Sequence, residues 1–190
     1  MRVLAICGSL RRSSHNRKLL QAAARELPND VAFELFQGLG DLPHYDEDAD
    51  VELAHPAVRR LRDALARADA VLIATPEYNA SLPGALKNAL DWASRPFPDN
   101  CLRDMPVAVI GASTSLFGAI WAQAELRKVL TAIGARVIER ELPVPRAHEA
   151  FEATGASARF RSRGSGMRCR HSRRGARSGY GCWRRTACKT

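Results

Sequence analysis

The sequence has few of the features that define membrane, secreted and metal-stabilised proteins. It has 190 residues and five cysteines, of which only Cys7 and Cys101 lie in the first 150 positions. Its longest apolar stretches, such as residues 105–112, are far shorter than the roughly 20 residues that span a bilayer. The apolar run after Arg2 covers only residues 3–7, too short for the hydrophobic region of a signal peptide. We therefore expect a cytoplasmic protein with no membrane helix, whose core needs no disulfide or metal.

Common nucleotide and metal motifs are also absent. The loop after the first apolar run contains neither G-x-G-x-x-G nor G-K-[ST], which excludes the dinucleotide fingerprint and the Walker loop there. The acidic segment 44–50 lacks the ligand spacing of a metal site and is expected to be solvated. The cysteines and histidine of segment 169–188 match no standard closed zinc site. The sequence thus predicts no metal centre.

Net positive charge is missing from most of the chain and is confined to its carboxyl end. The formal net charge is +9, yet residues 1–150 contain 18 Lys and Arg against 19 Asp and Glu. Residues 151–190 contain 11 basic residues and one acidic residue. We predict a folded domain over residues 1–150 and a basic Arg/Gly/Ser-rich tail over 151–190. The tail is either disordered or the frame-shifted end of a coding sequence rich in G and C, and it would attract polyanions without specificity.

Short apolar runs alternate with helical patterns through the first 150 residues. Such alternation is typical of strand–helix units around a parallel sheet. The predicted strands are residues 3–7, 31–36, 70–75, 105–111 and 136–142, and the predicted helices are residues 16–27, 55–68, 84–92 and 117–133. Together they predict a flavodoxin-like, doubly wound α/β fold with a five-stranded parallel sheet in the order 2-1-3-4-5. A ligand is then expected in the crevice above strands 1 and 3.

The pattern lacks a complete closing helix after the fifth strand. This fold needs such a helix to cover the sheet beside the first helix. A helix could start at residues 149–155, but residues from about 159 onward have hardly any periodic apolar positions. We therefore expect no normal closing helix, and if none forms, apolar sheet surface beside the first helix would stay exposed.

The segment between the first strand and the first helix has the chemistry that a phosphate monoester requires. Its sequence is Gly-Ser-Leu-Arg-Arg-Ser-Ser-His-Asn over residues 8–16. Gly8 permits close backbone approach, the serine hydroxyls are donors, and Arg11 offers a charge-assisted fork beside a helix amino terminus. The alternative is that the serines and Asn16 only cap the helix, while Arg11 and Arg12 are solvated.

The segment after the third strand suggests a site for a flat ligand. Residues 75–84 read Thr-Pro-Glu-Tyr-Asn-Ala-Ser-Leu-Pro-Gly and combine an aromatic ring, an amide and two prolines at the predicted crevice. Rigid loops at this place commonly bind ligands. The alternative is a polar turn with Tyr78 lying on the surface.

Three spaced motifs resemble those of the NAD(P)H-dependent FMN reductases of flavodoxin-like fold, a family that includes bacterial chromate and quinone reductases. They are Gly-Ser-Leu-Arg at 8–11 with Ser14 and Asn16, Pro-Glu-Tyr-Asn at 76–79 followed by Ser-x-Pro-Gly-x-Leu-Lys-Asn-Ala-x-Asp-Trp at 81–92, and Gly-Ala-Ser at 111–113. The motifs occur in the expected order on the expected elements. The resemblance covers residues 1 to about 150.

The resemblance implies a role for each matched position. The FMN phosphate would be held by Ser9, Arg11, Ser14 and Asn16, and the isoalloxazine would lie along Pro76, Glu77, Tyr78 and Asn79, with Ser113 and the loop to Gly118 closing its other side. The segment 114–117 is bulkier than the glycine-rich stretch that family members often have there. The resemblance also implies a homodimer or a homotetramer, with Trp92 near the subunit contact or, alternatively, in the core.

The implied activity is that of an FMN-dependent NAD(P)H oxidoreductase. Hydride would pass from NADPH or NADH to FMN, and electrons would then pass to a small-molecule acceptor such as a quinone, free flavin or chromate. This chemistry demands no dedicated acid–base residue, so no catalytic side chain is predicted. Two alternatives remain open: a flavodoxin-like electron carrier, and a nucleic-acid-associated protein acting through the basic tail. Arg11 and the nearly neutral charge of residues 1–150 favour the enzyme over the carrier.

Overall fold

Parallel strands that are apolar on both faces form the centre of the structure. The computed structural model describes residues 1–51 and 55–152. The strands are β1 (Arg2–Cys7), β2 (Ala32–Leu35), β3 (Ala70–Thr75), β4 (Pro106–Ala112), β5 (Arg136–Val137) and β6 (Pro143–Val144). The α-helices are α1 (His15–Glu26), α2 (Pro56–Ala66), α3 (Gly84–Ala93), α4 (Ile120–Ile133) and α5 (Ala147–Glu152).

The strand order is β2-β1-β3-β4-β5, and all neighbouring strands are parallel. This confirms the predicted fold. Along β1, Leu4 and Ile6 pack into the core formed with α2, α3 and α4, whereas Ala5 and Cys7 pack into the core formed with α1 and α5. Because helices cover both faces, the central strands are apolar throughout rather than alternating with polar residues.

The fifth strand is broken, although the sequence predicts a continuous strand over residues 136–142. On the side of β4 away from β3, two short strands take the place of this one strand: β5 pairs with the beginning of β4 and β6 with its end. The ladder continues as far as the hydrogen bond from Ile138 N–H to the Val107 carbonyl, 2.8 Å, and resumes with Gly111 N–H donating to the Leu142 carbonyl, 3.2 Å. Residues 139–141 between these points are Glu-Arg-Glu and exposed. Consecutive charges place a charged side chain on both faces of a strand, so the chain leaves the sheet there.

Helix α4 starts three residues later than the pattern predicts. The predicted start is residue 117, and the observed first residue is Ile120. Gly118 and Ala119 have φ values of 61° and 62°, in the left-handed region. Because a right-handed helix cannot pass through such residues, the two positions belong to the preceding loop.

A short closing helix is present. α5 begins at Ala147, two residues before the predicted start, and the Ala147 side chain is fully buried. The Phe151 ring stacks on His15 at the start of α1, with ring centroids 6.0 Å apart. α5 therefore covers the sheet beside α1, as the fold requires. The predicted tail over 151–190 and its cysteines lie almost entirely outside the described residues.

Trp92 lies in the core. Its side chain is 1% exposed, and its indole Nε1–H donates to the Pro43 carbonyl at 2.9 Å. Asn88, one turn earlier on α3, donates to the same carbonyl and accepts from Tyr45 N–H. The Tyr45 ring meets Trp92 edge to face at 5.0 Å. The 43–45 segment is thus fastened to α3, which gives Asn88 and Trp92 of the 81–92 motif a structural role.

Within residues 1–51 and 55–152, none of the helices has the length and apolar character needed to cross a bilayer.

Candidate functional site

Three loops leave the carboxyl ends of adjacent strands and define one edge of the sheet. They are the first loop (residues 8–14) after β1, the second loop (76–83) after β3 and the third loop (113–119) after β4. The strand register pairs Cys7 with Ala74 and Thr75 with Gly111, so the loops begin side by side. The crevice between such loops is where doubly wound folds bind their ligands.

The first loop is held tightly against β3. Gly8 N–H donates to the Ala74 carbonyl at 2.8 Å. A Cβ at position 8 would lie 2.9 Å from Leu86 Cδ2 and 3.3 Å from the Ala74 oxygen, so a larger residue would require the Leu86 side chain to move and the loop to shift slightly away from β3. Ser9, next in the chain, is 4% exposed, and its Oγ accepts from Arg11 N–H at 3.4 Å.

The start of α1 has the donors and the positive charge that an anion requires. Ser14 is the helix cap, and its Oγ accepts from Arg17 N–H at 3.4 Å. The first turn of α1 contains no acidic side chain, so the positive end of the helix dipole is not compensated there. The exposed Arg11 side chain reaches back to Ser13 Oγ, at 3.5 Å. These groups fit a phosphate monoester, because its oxygens accept from hydroxyl, guanidinium and backbone N–H donors.

Asn16 connects the start of α1, just after the first loop, to the end of β4, just before the third loop. Its side chain is buried, donates from Nδ2 to the Ala112 carbonyl at 2.9 Å and accepts at Oδ1 from Ala112 N–H at 2.9 Å. This two-bond clamp joins the first turn of α1 to the last residue of β4. A direct contact of Asn16 with a phosphate stays a prediction.

Replacing Asn16 by alanine is expected to lower the free energy of unfolding by about 1–3 kcal/mol, because both buried backbone groups of Ala112 lose their partner. Urea denaturation followed by far-UV circular dichroism measures the change. The matched control is Ser13→Ala, which removes an exposed polar group from the same region and is expected to leave stability unchanged. Equal stabilities of the two variants would show that the clamp contributes nothing.

The second loop contains a tight hairpin. Tyr78 and Ser81 exchange two backbone hydrogen bonds of 3.0 and 3.1 Å, and Asn79 and Ala80 between them have φ values of 53° and 61°. Two consecutive positive φ values match a type I′ turn, which fixes the direction of the loop tip. Tyr78 is 48% exposed at this tip, consistent both with a ring-binding role and with the alternative surface position. Pro76, at the base, is buried.

Glu77 points its carboxylate at the start of α4. Its Oε2 accepts from Trp121 N–H at 3.1 Å and from Ala122 N–H at 3.2 Å. Sequence reasoning missed this contact. The sequence pattern gave no signal for it, because the helix predicted over 117–133 includes Gly118 and Ala119. Only the observed start at Ile120 puts these two residues before the helix, where neither has a side chain that can cap it.

Backbone hydrogen bonds join the third loop to residues 144–147, the segment from β6 to the start of α5. Ser113 N–H donates to the Val144 carbonyl, and Ala147 N–H donates to the Ser113 carbonyl, at 3.1 and 2.9 Å. Ser115 N–H donates to Ser113 Oγ at 3.1 Å, and the Ser115 carbonyl accepts from Arg146 N–H at 3.0 Å. Ser113 is thus half-buried at the base of a braced loop.

Gly118 ends the third loop in a confined position. A Cβ at this residue would lie 2.6 Å from Val144 N and 2.8 Å from the Pro143 carbonyl carbon. The Gly118 carbonyl accepts from Gln123 Nε2 at 3.0 Å. The residue allows the loop to pass directly over β6.

Apolar side chains surround the exposed end of the third loop. Leu116, Phe117 and Trp121 are 64%, 52% and 46% exposed, and the rings of Phe117 and Trp121 meet edge to face at 4.9 Å. The backbone N–H of Trp121 donates to Glu77, so this apolar surface adjoins the second loop. It is available to contact a flat apolar molecule.

The strand order, the crevice between three loops and the phosphate chemistry of the first loop define a flavodoxin-like, mononucleotide-binding class of protein. Comparison with known proteins narrows this class. A family model described as NADPH-dependent FMN reductase matches residues 1–149. The chain belongs to this NADPH-dependent FMN reductase family.

Individual relatives agree with the family. The chain is 42% identical over 156 residues to an NAD(P)H-dependent FMN reductase of Pseudomonas aeruginosa, covering 82% of this chain and 83% of that protein. It is 44% identical over 129 residues to a 2-hydroxy-1,4-benzoquinone reductase of Burkholderia sp, covering 68% and 69%. The solved structure of a flavoenzyme NAD(P)H:(acceptor) oxidoreductase from Paracoccus denitrificans superposes with a TM-score of 0.70 at 40% identity, covering 75% of this chain and 78% of that one.

The protein is therefore an oxidoreductase that uses FMN as cofactor and NAD(P)H as co-substrate. The first loop fits this cofactor on its own chemistry, since it offers hydroxyls, a guanidinium and an uncompensated helix terminus but no carboxylate in the first turn of α1.

Proposed function

We propose that the protein catalyses NAD(P)H-dependent reduction of quinones, with FMN held among the three loops. The observation that supports it most strongly is the start of α1, where Ser9, Arg11 and Ser14 collect donors and positive charge beside a helix cap. That set suits the FMN phosphate. Asn16 contributes by clamping the first turn of α1 to β4.

The second and third loops would bind the ring system. The hairpin at Asn79 fixes the position of Tyr78, and the bonds of Ser113 brace the opposite loop up to Gly118. When bound, FMN supplies the redox chemistry, by accepting hydride from the nicotinamide and delivering electrons to the acceptor. The task of these residues is to hold two flat molecules in contact and to limit access of water between them.

Quinones are proposed as the acceptor class for two reasons. The Burkholderia relative is named as a benzoquinone reductase, and the relative of Escherichia coli K12, 36% identical over 141 residues, is named as a quinone reductase. In this chain, Tyr78, Phe117 and Trp121 present exposed rings beside the crevice, which suits a flat apolar acceptor. Free flavin and chromate are secondary candidates. Chromate is a small oxyanion, so the exposed aromatic rings suit it less well than they suit a quinone.

A visible absorption spectrum tests the cofactor and the activity together. Protein incubated with FMN and desalted is expected to retain a flavin band that bleaches when NADPH or NADH is added without oxygen. Restoration of the band by a benzoquinone would complete the cycle. A colourless protein after desalting, or a band that NAD(P)H leaves unchanged, would contradict the proposal. Dependence on a separate reductase would favour the electron carrier, which the named relatives do not support.

We further propose a cytoplasmic homo-oligomer, a dimer or a tetramer. The NAD(P)H requirement supports the location, because these reductants are held inside the cell. The exposed apolar cluster of Leu116, Phe117 and Trp121 supports self-association, because such surface is commonly covered in oligomers. Light scattering coupled to size-exclusion chromatography is expected to give at least twice the monomer mass of 20.9 kDa, and a monomeric mass would contradict this proposal.

A further inference from the structure

The amino terminus of α4 is capped by a residue from a distant part of the chain. Its own cap position, Ala119, has no side-chain acceptor. The first N–H groups of a helix have no partner within the helix and need acceptors from outside. Two of them, on Trp121 and Ala122, donate to Glu77 Oε2 from 44 and 45 residues away. The second loop therefore supplies the cap that the third loop lacks.

The same helical turn also holds the end of the third loop. Gln123 is fully buried and donates from Nε2 to the Gly118 carbonyl at 3.0 Å. Its amide packs against β4, because a Cβ at Gly111 would lie 2.9 Å from Gln123 Nε2. The first turn of α4 thus donates backbone hydrogen bonds to Glu77 of the second loop and a side-chain hydrogen bond to Gly118 of the third loop.

We infer that Glu77 is a positioning residue that fixes the third loop relative to the second through the first turn of α4. The inference rests on the proposed function, in which these two loops form opposite walls of the flavin site. Glu77 then acts on the flavin through backbone geometry, whereas the family resemblance alone places it along the isoalloxazine.

The geometry distinguishes a cap from a charge. Both N–H groups converge on one oxygen of Glu77, so an amide oxygen at the same place can accept both bonds. Glu77→Gln keeps the length and the acceptor but removes the charge. Glu77→Asp keeps the charge but shortens the side chain by one methylene, which withdraws the acceptor. A positioning role predicts that the Gln variant behaves like the wild type and that the Asp and Ala variants are impaired.

Hydrogen exchange on the full-length protein without FMN tests the coupling directly. In Glu77→Asp and Glu77→Ala, amide exchange over residues 113–122 is expected to accelerate about 3- to 30-fold, the range for loss of a helix cap. Glu77→Gln is expected to match the wild type. The control is Glu125→Ala, which removes an exposed carboxylate from the next turn of α4 and should leave exchange unchanged.

Flavin binding provides the second readout. FMN affinity is measured by the quenching of flavin fluorescence. It is expected to fall about 3- to 30-fold in the Asp and Ala variants and to stay at the wild-type value in the Gln variant. The visible circular dichroism of bound FMN should change with it, because it reports the ring environment. The ratio of FMN to riboflavin affinity should stay constant, because the phosphate loop is untouched.

Three results would overturn the inference: wild-type exchange in all three variants, impairment of the Gln variant together with a normal Asp variant, or weaker FMN binding without faster exchange over residues 113–122. If the Ala variant fails to fold, the Asp and Gln pair still decides between these outcomes. A wild type that binds no FMN would refute the proposed function alone, because the exchange arm needs no flavin.

Discussion

Replacing Gly118 by alanine is expected to lower the free energy of unfolding by about 3–5 kcal/mol, a large effect for the addition of one methyl group. The new Cβ would lie 2.6 Å from Val144 N and 2.9 Å from Pro143 Cβ. The φ of 61° adds the strain of an alanine in the left-handed region. Since the nearest obstacles are backbone atoms, no change of rotamer can relieve the clash. Urea denaturation monitored by far-UV circular dichroism measures the loss.

Gly84→Ala is the matched control for this substitution. Gly84 is the first residue of α3, and a Cβ there would meet nothing within 4 Å. Alanine is expected to be neutral or to stabilise by about 0.5–1 kcal/mol, because it reduces the freedom of the unfolded chain. A Gly118→Ala variant as stable as Gly84→Ala would mean that Gly118 does not lie tightly against the backbone of β6.

Replacing Arg11 by glutamine is expected to weaken FMN binding by about 10- to 100-fold, which corresponds to the loss of a hydrogen bond to a charged group. Arg11 lies in the loop that precedes the α1 cap, is exposed, and extends toward Ser13 Oγ. Because the guanidinium is exposed and presents a planar fork of donors, it can donate two hydrogen bonds to a phosphate. Titration of the protein with FMN, followed by fluorescence quenching, measures the dissociation constant.

Riboflavin and Arg12→Gln provide the controls for Arg11. Riboflavin lacks the phosphate, so its affinity should be the same in the Arg11→Gln variant and the wild type. Arg12→Gln removes the same charge from the neighbouring position and should lower FMN affinity only slightly, through the general field of the loop. Equal losses for FMN and riboflavin, or equal losses in the two variants, would assign the phosphate to other residues.

The third loop is the part of the crevice that is tied to both of the other walls. Asn16, in the first turn of α1, binds Ala112 at the base of the third loop, and Glu77 of the second loop binds the start of the helix that follows the third loop. Polar side chains from neighbouring elements therefore hold the residues at both ends of the third loop. Such ties explain how loops without regular structure can keep a fixed geometry around a cofactor.

The repeating pattern of apolar runs and amphipathic helices determined the sheet order, because chain connectivity and the right-handed crossover leave few alternatives. The same pattern located the crevice, since ligand loops follow the carboxyl ends of the strands. A phosphate site could be proposed for the first loop because a strand, a Gly-Ser turn and a helix start are adjacent in the sequence. For the same reason, the motifs were sufficient to suggest the family.

Only the tertiary structure decided which side chains hold the loops together. Asn16 and Ala112 are 96 residues apart, and Glu77 and Trp121 are 44 apart, so no local pattern pairs them. Likewise, the break in the fifth strand depends on where residues 139–141 meet the sheet edge. Periodicity reports which face of an element is buried, whereas these hydrogen bonds depend on three-dimensional positions that only the packed chain defines.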